Sequence, residues 1–134
     1  MLLGNFFTIQ SIQASEEAIN ARLEINPFHA IFDGHFPGIP VVPGVCMLQM
    51  VKEITESVIG RTTRLVKSDQ AKFLSVIDPR INTIIQAELK YKMDETGEIQ
   101  VVASLLNNET VCLKFKGTFI TGDFPVTESA EKSL

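Results

Sequence analysis

Residues 34–59 decide the fold, and they read GHFPGIPVVPGVCMLQMVKEITESVI. The first ten residues of this stretch contain three prolines, each of which fixes the backbone and removes a hydrogen-bond donor. Pro43 suits the start of a helix, where a missing N–H costs nothing, and Gly60 suits the position just past a helix end. The stretch therefore predicts a structured, rigid loop over residues 27–43, followed by a helix over Gly44–Ile59.

The predicted helix is apolar around much of its circumference, so we expect it to be wrapped by other elements. The apolar side chains are those of Val45, Met47, Leu48, Met50, Val51, Ile54 and Val58. One polar stripe remains, because Gln49, Lys52, Glu53 and Glu56 follow helical spacing. We interpret this stripe as a solvated face of a buried central helix.

Alternating apolar and polar residues on both sides of the helix predict strands. Residues 18–26 alternate before the helix, with a weaker candidate at 6–12, and residues 67–76, 85–93, 99–105 and 111–119 follow it. Turn residues separate the last three, at 94–97 and 107–108. We predict an α+β fold, an antiparallel sheet packed on one long helix, as a single domain over residues 1–134 with a polar, frayed tail from about residue 125.

Composition excludes several classes of function. A net charge of −4 and the lack of a dominant basic cluster argue against nucleic acid as a partner. No apolar run of about 18 residues and no charged leader occur, so we expect no membrane insertion and a cytoplasmic location. Cys46 and Cys112 lack metal-ligand spacing, so we expect both to be reduced, with Cys46 in the core and no bound metal.

The run Gly34-His35-Phe36-Pro37-Gly38 leading through Pro43-Gly44-Val45 into the helix resembles the signature of the 3-hydroxyacyl-(acyl carrier protein) dehydratases. A weaker resemblance covers Lys72-Phe73-Leu74 through Asp78-Pro79. The resemblance implies the hotdog fold, in which an antiparallel sheet wraps one central helix. It also implies a lyase that removes water from (3R)-hydroxyacyl thioesters of acyl carrier protein or coenzyme A without a cofactor.

The resemblance assigns roles to five residues. Catalysis falls to His35 and to the position of Gln49, and substrate binding to Phe36, Gly44 and Val45. The chemistry agrees, since removal of the C2 proton needs a base with a pKa near 7, which histidine provides. The free N–H groups at a helix N-terminus, here Gly44, suit the negative charge that gathers on the thioester oxygen. His29 lies outside the motif, and we expect it to be structural.

The chain departs from the family at Gln49, where the dehydratases carry a Glu or Asp that acts opposite a histidine of the other subunit. An amide cannot donate a proton at neutral pH. Glu53, one turn further along the helix, and Asp33, two residues before His35, are alternative acids. In a third alternative His35 is the only titrating group and Gln49 holds the substrate hydroxyl or a water.

Two other functions stay open. One is a hotdog thioesterase, although that reaction also uses a carboxylate on the helix. The other is a non-catalytic acyl-thioester-binding protein or accessory subunit, which Gln49 favours. We also predict an obligate homodimer, or a higher oligomer built from dimers, because a single sheet leaves an edge strand unpaired. An acidic acyl carrier protein would dock on the basic stretch of Arg61, Arg64, Lys67 and Lys72.

Overall fold

The computed structural model describes residues 1–33 and 40–122. The described chain forms one antiparallel sheet and one long helix, the α+β architecture that the alternation predicts. In chain order the elements are β1 Phe7–Ala14, β2 Ala18–Ile25, a short 3-10 helix Ala30–Phe32, α1 Gly44–Ile59, β3 Thr63–Phe73, β4 Ile84–Met93, β5 Glu98–Asn107 and β6 Thr110–Thr121. The predicted frayed tail lies outside the described residues.

The strands are ordered β1-β2-β4-β5-β6-β3, and all neighbours are antiparallel. The prediction of four strands in simple succession after the helix is therefore wrong for β3, which pairs with β6 and not with β4. Residues 74–83 link β3 to β4, and they are too many for a tight hairpin. This link returns the chain to β2, so that β1 and β3 form the two edges of the sheet.

The helix packs on one face of the sheet and shares a single core with it. Inward residues of β2 such as Ile19 and Leu23 are fully buried, and so are Met50 and Ile54 of α1. Alternate residues of β4 and β5 join the same core, which matches the period of a half-buried strand. The expectation that the helix is wrapped is confirmed for most of its apolar residues, but Val45 is 74% exposed.

Both ends of α1 lie where the sequence predicts them. Pro43 is the N-cap residue, with an extended backbone. Gly60 ends the helix at φ 73°, a left-handed conformation that favours glycine, and its N–H donates to the carbonyl oxygen of Glu56 at 2.8 Å. No helix in residues 1–33 and 40–122 is long and apolar enough to cross a membrane.

Candidate active site

The N-terminus of α1 presents free backbone donors. The carbonyl oxygen of Pro43 accepts from the N–H of Cys46 at 2.9 Å and from that of Met47 at 3.2 Å. Among the described residues, the N–H groups of Gly44 and Val45 have no acceptor. These two donors lie at the positive end of the helix dipole, where an anionic oxygen is stabilised.

Gly44 borders a cleft of about 340 Å³, which is lined by Val42, Gly44, Met47, Phe73, Leu74, Ser75 and Val76. Two backbone hydrogen bonds hold its walls in place. Val42 N–H donates to the carbonyl oxygen of Ile77 at 2.9 Å, and Leu74 N–H donates to that of Cys112 at 2.9 Å. The cleft therefore combines largely apolar walls with the Gly44 N–H, which has no acceptor among the described residues, and this combination suits an acyl group ending in a polar carbonyl.

The absence of a side chain at Gly44 has a structural reason. A Cβ atom there would lie 2.9 Å from Cε1 and 3.0 Å from Cζ of Phe73. The Phe73 ring thus lies directly against the start of the helix. The sequence did not assign Phe73 to the site, although the weaker Lys-Phe resemblance passes through it and was the available signal.

His35 and Phe36 fall outside the described residues, so their catalytic and binding roles stay predictions. Val45 starts the helix and its side chain is exposed. It is not among the described residues that line the cleft. Its substrate-binding role also stays a prediction.

Gln49 lies on another side of the helix from Gly44. They are five positions apart in the helix, which corresponds to roughly 140° around the axis and about 7.5 Å along it. Gln49 is half-buried, and it does not line the cleft within the described residues. Within the described residues, Gln49 and Gly44 therefore do not line the same cleft.

A hydrogen-bond network connects Gln49 to Glu53 and to the first residues of the chain. Gln49 Nε2 donates to Glu53 Oε2 at 2.7 Å. Glu53 Oε1 accepts from the N–H of Leu3 at 2.7 Å, and both of its oxygens accept from the N–H of Leu2, at 3.0 and 2.8 Å. Glu53 is only 2% exposed, so its carboxylate is buried and satisfied by these donors.

This network argues against Glu53 as the missing acid. Burial alone raises the pKa of a carboxyl group, but hydrogen bonds from Leu2, Gln49 and Leu3 outweigh it, and the pKa of Glu53 is lowered from its usual 4.5. A group that is ionised and surrounded by donors at neutral pH has no proton to give. The backbone partners of Glu53 were not predictable from helical spacing. Asp33 is exposed at the end of the 3-10 helix, and its role as an alternative acid stays a prediction.

The polar stripe on α1 is not the solvated face that its spacing predicted. Glu53 is buried, and the side chain of Glu56 is only 13% exposed. Glu56 Oε2 accepts from Lys52 Nζ at 2.9 Å and from the N–H of Thr63 at 2.6 Å. The stripe therefore anchors the helix to the chain start on one side and to β3 on the other.

His29 has a structural role and Cys46 lies in the core, as the sequence predicts. His29 Nδ1 accepts from the N–H of Ile31 at 3.0 Å and so caps the 3-10 helix, while its ring packs in a T-shaped arrangement with that of Phe6. Cys46 and Cys112 are buried free thiols, and burial raises the pKa of both. No three His, Cys, Asp or Glu residues within the described ranges group as metal ligands would.

Comparison with known protein families shows the family to which the chain belongs. The model of the ApeI-like family, described as ApeI dehydratase, matches residues 11–112. The chain belongs to the ApeI-like dehydratase family. This result confirms the resemblance that the loop and helix motif predicted.

Individual relatives of the chain are also named as dehydratases. The chain is 30% identical over 114 residues to a 3-hydroxyacyl-[acyl-carrier-protein] dehydratase FabZ of Lactobacillus helveticus, covering 80% of this chain and 76% of that protein. It is also 30% identical over 119 residues to the FabZ of Caldicellulosiruptor bescii, covering 80% and 82%.

Solved structures confirm the hotdog fold. The dehydratase heterocomplex ApeI:P from Xenorhabdus doucetiae is similar with a TM-score of 0.62 at 19% identity, covering 84% of this chain and 96% of that one. A hypothetical thioesterase with coenzyme A from Streptococcus pneumoniae is similar with a TM-score of 0.61 at 9% identity, covering 87% and 85%. At these identities the similarity concerns the fold alone.

Proposed function

We propose that this ApeI-like protein removes water from (3R)-hydroxyacyl thioesters and gives trans-2-enoyl thioesters. The observation that carries the proposal is the apolar cleft bordered by Gly44, whose N–H has no acceptor among the described residues. The related proteins named as 3-hydroxyacyl-[acyl-carrier-protein] dehydratases support the same substrate class. A fatty-acid or related acyl pathway would supply such a substrate.

In the proposed reaction His35 takes the C2 proton of the substrate. As the C2–H bond breaks, negative charge builds on the thioester oxygen, and the N–H of Gly44 stabilises it by a hydrogen bond. The bond between C3 and the hydroxyl oxygen then breaks, and the His35 imidazolium returns its proton to the departing oxygen. Water leaves, and no other group has to change its protonation state.

This sequence of steps fits a site in which Gln49 replaces a carboxylic acid. The amide of Gln49 can hold the 3-hydroxyl group by a hydrogen bond, but it cannot supply the proton. Turnover should therefore be slower than in a dehydratase with two titrating groups, because a positioned acid or base accelerates a reaction by about 10²–10⁴-fold.

We propose that the active unit is a homodimer. The edge strand β3 is eleven residues long and exposed along most of its length. It carries apolar side chains that are at least partly exposed, including Leu65, Val66 and Phe73. A long edge strand of this kind is a template for pairing with another strand. A second copy would also bring its own Gln49 to the cleft at Gly44, which Gln49 of the same chain does not line within the described residues.

An acidic acyl carrier protein is the partner that the charges of the sheet favour. The exposed side chains of Lys72 and Lys114 lie directly opposite each other on β3 and β6, which is unfavourable for like charges. By register, Lys116 and Lys90 lie on the same exposed face, with Val102 between them. The lysines of β6 and β4 thus continue the basic residues of β3, of which Lys67 is paired with Asp69 at 3.4 Å. We propose that an anionic partner docks on this face and relieves the repulsion between Lys72 and Lys114.

Two buried free cysteines suit a reducing compartment, which supports a cytoplasmic location for the protein. In the cytoplasm the protein would meet both acyl carrier proteins and coenzyme A thioesters.

The experiment that tests the proposed function compares the two histidines. His35→Ala should lower turnover of a 3-hydroxybutyryl thioester by about 10²–10⁴-fold and leave thermal stability nearly unchanged. His29→Ala is the matched control, because it removes the cap of the 3-10 helix and should lower stability while leaving turnover largely intact. Equal turnover of wild type and His35→Ala would contradict the assignment of the base.

The substitution at Gln49 favours a second candidate, a non-catalytic acyl-thioester-binding subunit. That role predicts binding of a 3-hydroxyacyl thioester without turnover by wild type, and turnover only after a carboxylate-bearing relative is added. Calorimetric titration together with an absorbance assay for the enoyl product separates the two candidates.

A further inference from the structure

The orientation of the Gln49 amide follows from chemistry. The atom of Gln49 that faces Glu53 lies 2.7 Å from a carboxylate oxygen. An ionised carboxylate only accepts hydrogen bonds, so the facing atom must be the amide nitrogen. The carbonyl oxygen Oε1 of Gln49 therefore points away from Glu53.

Glu53 itself is held in place. The backbone N–H groups of Leu2 and Leu3 fix both of its oxygens, and its side chain is buried. If the Gln49 amide rotated by half a turn, two acceptor oxygens would face each other and a charge-assisted hydrogen bond would be lost. The carboxylate thus favours one of the two amide orientations.

The free end of the amide is an acceptor. Within residues 1–33 and 40–122 no donor reaches Gln49 Oε1, and the side chain is half-buried, so its oxygen is available to a ligand. A group with a hydroxyl hydrogen satisfies this oxygen, whereas a ketone oxygen at the same place leaves two acceptors opposed.

We infer that Glu53 is a positioning residue that presents Gln49 to the substrate as a hydrogen-bond acceptor and thereby selects a 3-hydroxyacyl over a 3-oxoacyl group. The inference rests on the proposed function, because the ligand that meets Gln49 is taken to be an acyl thioester. Glu53 does not touch the substrate. It acts only through the orientation of the Gln49 amide.

The first test observes the amide without any ligand. In the wild-type protein, nuclear magnetic resonance should detect a scalar coupling across the hydrogen bond between Gln49 Nε2 and the Glu53 carboxylate, and one slowly exchanging Gln49 amide proton. Both features should disappear in Glu53→Gln. A wild-type Gln49 amide that exchanges freely and shows no coupling overturns the inference, and this result needs no variant to fold.

The second test measures selectivity. For wild type, 3-hydroxybutyryl-coenzyme A should bind more tightly than 3-oxobutyryl-coenzyme A. In Glu53→Gln the preference should fall by about tenfold, since a neutral hydrogen bond contributes up to about that factor and the freed amide can donate to the ketone. An unchanged preference in a folded Glu53→Gln protein overturns the inference.

Glu56→Gln is the matched control. Glu56 lies on the same helix, is also largely buried and also accepts from a backbone N–H and a side chain, but it does not contact Gln49. It should lower stability and leave both the Gln49 coupling and the hydroxyl preference unchanged. A similar loss of preference in Glu56→Gln would mean that general loosening of the helix causes the effect, which contradicts a specific role of Glu53.

Failure of the proposed function would look different. In that case wild type would neither bind nor convert either thioester, while the Gln49–Glu53 coupling would still be present. The substrate class would then be wrong, and so would the selectivity assigned to the acceptor oxygen.

Discussion

The variant Gly44→Ala tests the catalytic role of the helix N-terminus separately from the stability of the protein. The new methyl group would lie 2.9 Å from Cε1 and 3.3 Å from Cδ1 of Phe73. Normal carbon contacts are about 3.5–4.0 Å, so the ring must move by roughly 0.5–1 Å. Phe73 is 50% exposed at the end of an edge strand, so this movement should cost about 1 kcal/mol or less. Alanine offsets part of the cost, because it is favoured over glycine in helices by about 0.5–1 kcal/mol.

The same methyl group should obstruct the cleft in which the Gly44 N–H faces the thioester oxygen. A displacement of about 1 Å from the productive geometry reduces turnover by roughly 10²-fold. We therefore expect kcat/KM for a 3-hydroxyacyl thioester to fall by about 10²-fold, while the unfolding free energy changes by less than about 1 kcal/mol. Thermal unfolding and an absorbance assay on the same samples provide both numbers.

Gly60→Ala is the control for Gly44→Ala. Gly60 has φ 73° and open space around it, so alanine should cost about 1–2 kcal/mol through the left-handed backbone and leave turnover unchanged. Full activity in Gly44→Ala would refute the assignment of the oxyanion donor to the start of α1.

Three further predictions concern the network, the partner and the dimer. Glu53→Gln should lower the free energy of unfolding by about 2 kcal/mol at pH 7. Because the pKa of Glu53 is lowered in the folded state, its carboxylate stabilises the fold above pH 4.5 and loses this effect as the pH falls. The difference between wild type and variant in urea unfolding should therefore be complete well above pH 4.5 and shrink below it. The double variant Lys114→Glu, Lys116→Glu should weaken the binding of acyl carrier protein by about tenfold or more in calorimetry at low salt. Arg22→Glu is the control, because Arg22 lies on β2, three strands away from β6, and it should leave this affinity unchanged. Val66→Asp should produce a monomer in light scattering at micromolar concentration, and a wild-type monomer would contradict the proposed dimer.

The elements with clear start and stop signals were predictable from the sequence. The helix Gly44–Ile59 has its predicted bounds, because Pro43 and Gly60 mark its two ends. The turns before β5 and β6 also lie where predicted. Asp94 Oδ1 accepts from the N–H of Thr96 at 2.8 Å, and Asn108 adopts φ 55°.

Strand β3 was predicted with the wrong bounds and the wrong neighbour, since it begins at Thr63 and not near Lys67. Its pairing with β6 is interrupted between Leu65 and Lys67 and again between Ser68 and Gln70. These irregularities shift the alternation, and most of the strand is exposed on both faces. Where neither face of a strand is buried, apolar and polar residues need not alternate, so the sequence pattern does not indicate the strand.

The candidate site was predictable in its residue types and less so in its contacts. The loop motif correctly indicated the family, which the match over residues 11–112 shows. Helical spacing placed Glu53 on a solvated face, but the chain start about fifty residues away covers it. Contacts between distant segments of this kind follow from tertiary packing and leave no local pattern in the sequence.

The most direct test of the proposed dehydratase activity is hydration of a trans-2-enoyl thioester by the purified protein in D2O, followed by mass spectrometry and nuclear magnetic resonance of the product. The proposed reaction predicts loss of the enoyl absorbance and a 3-hydroxyacyl product with one deuterium at C2, with both effects reduced about 10²–10⁴-fold in His35→Ala. An unchanged enoyl thioester after prolonged incubation of the wild-type protein, with the ligand bound in parallel titrations, would contradict the proposed activity and favour the binding subunit.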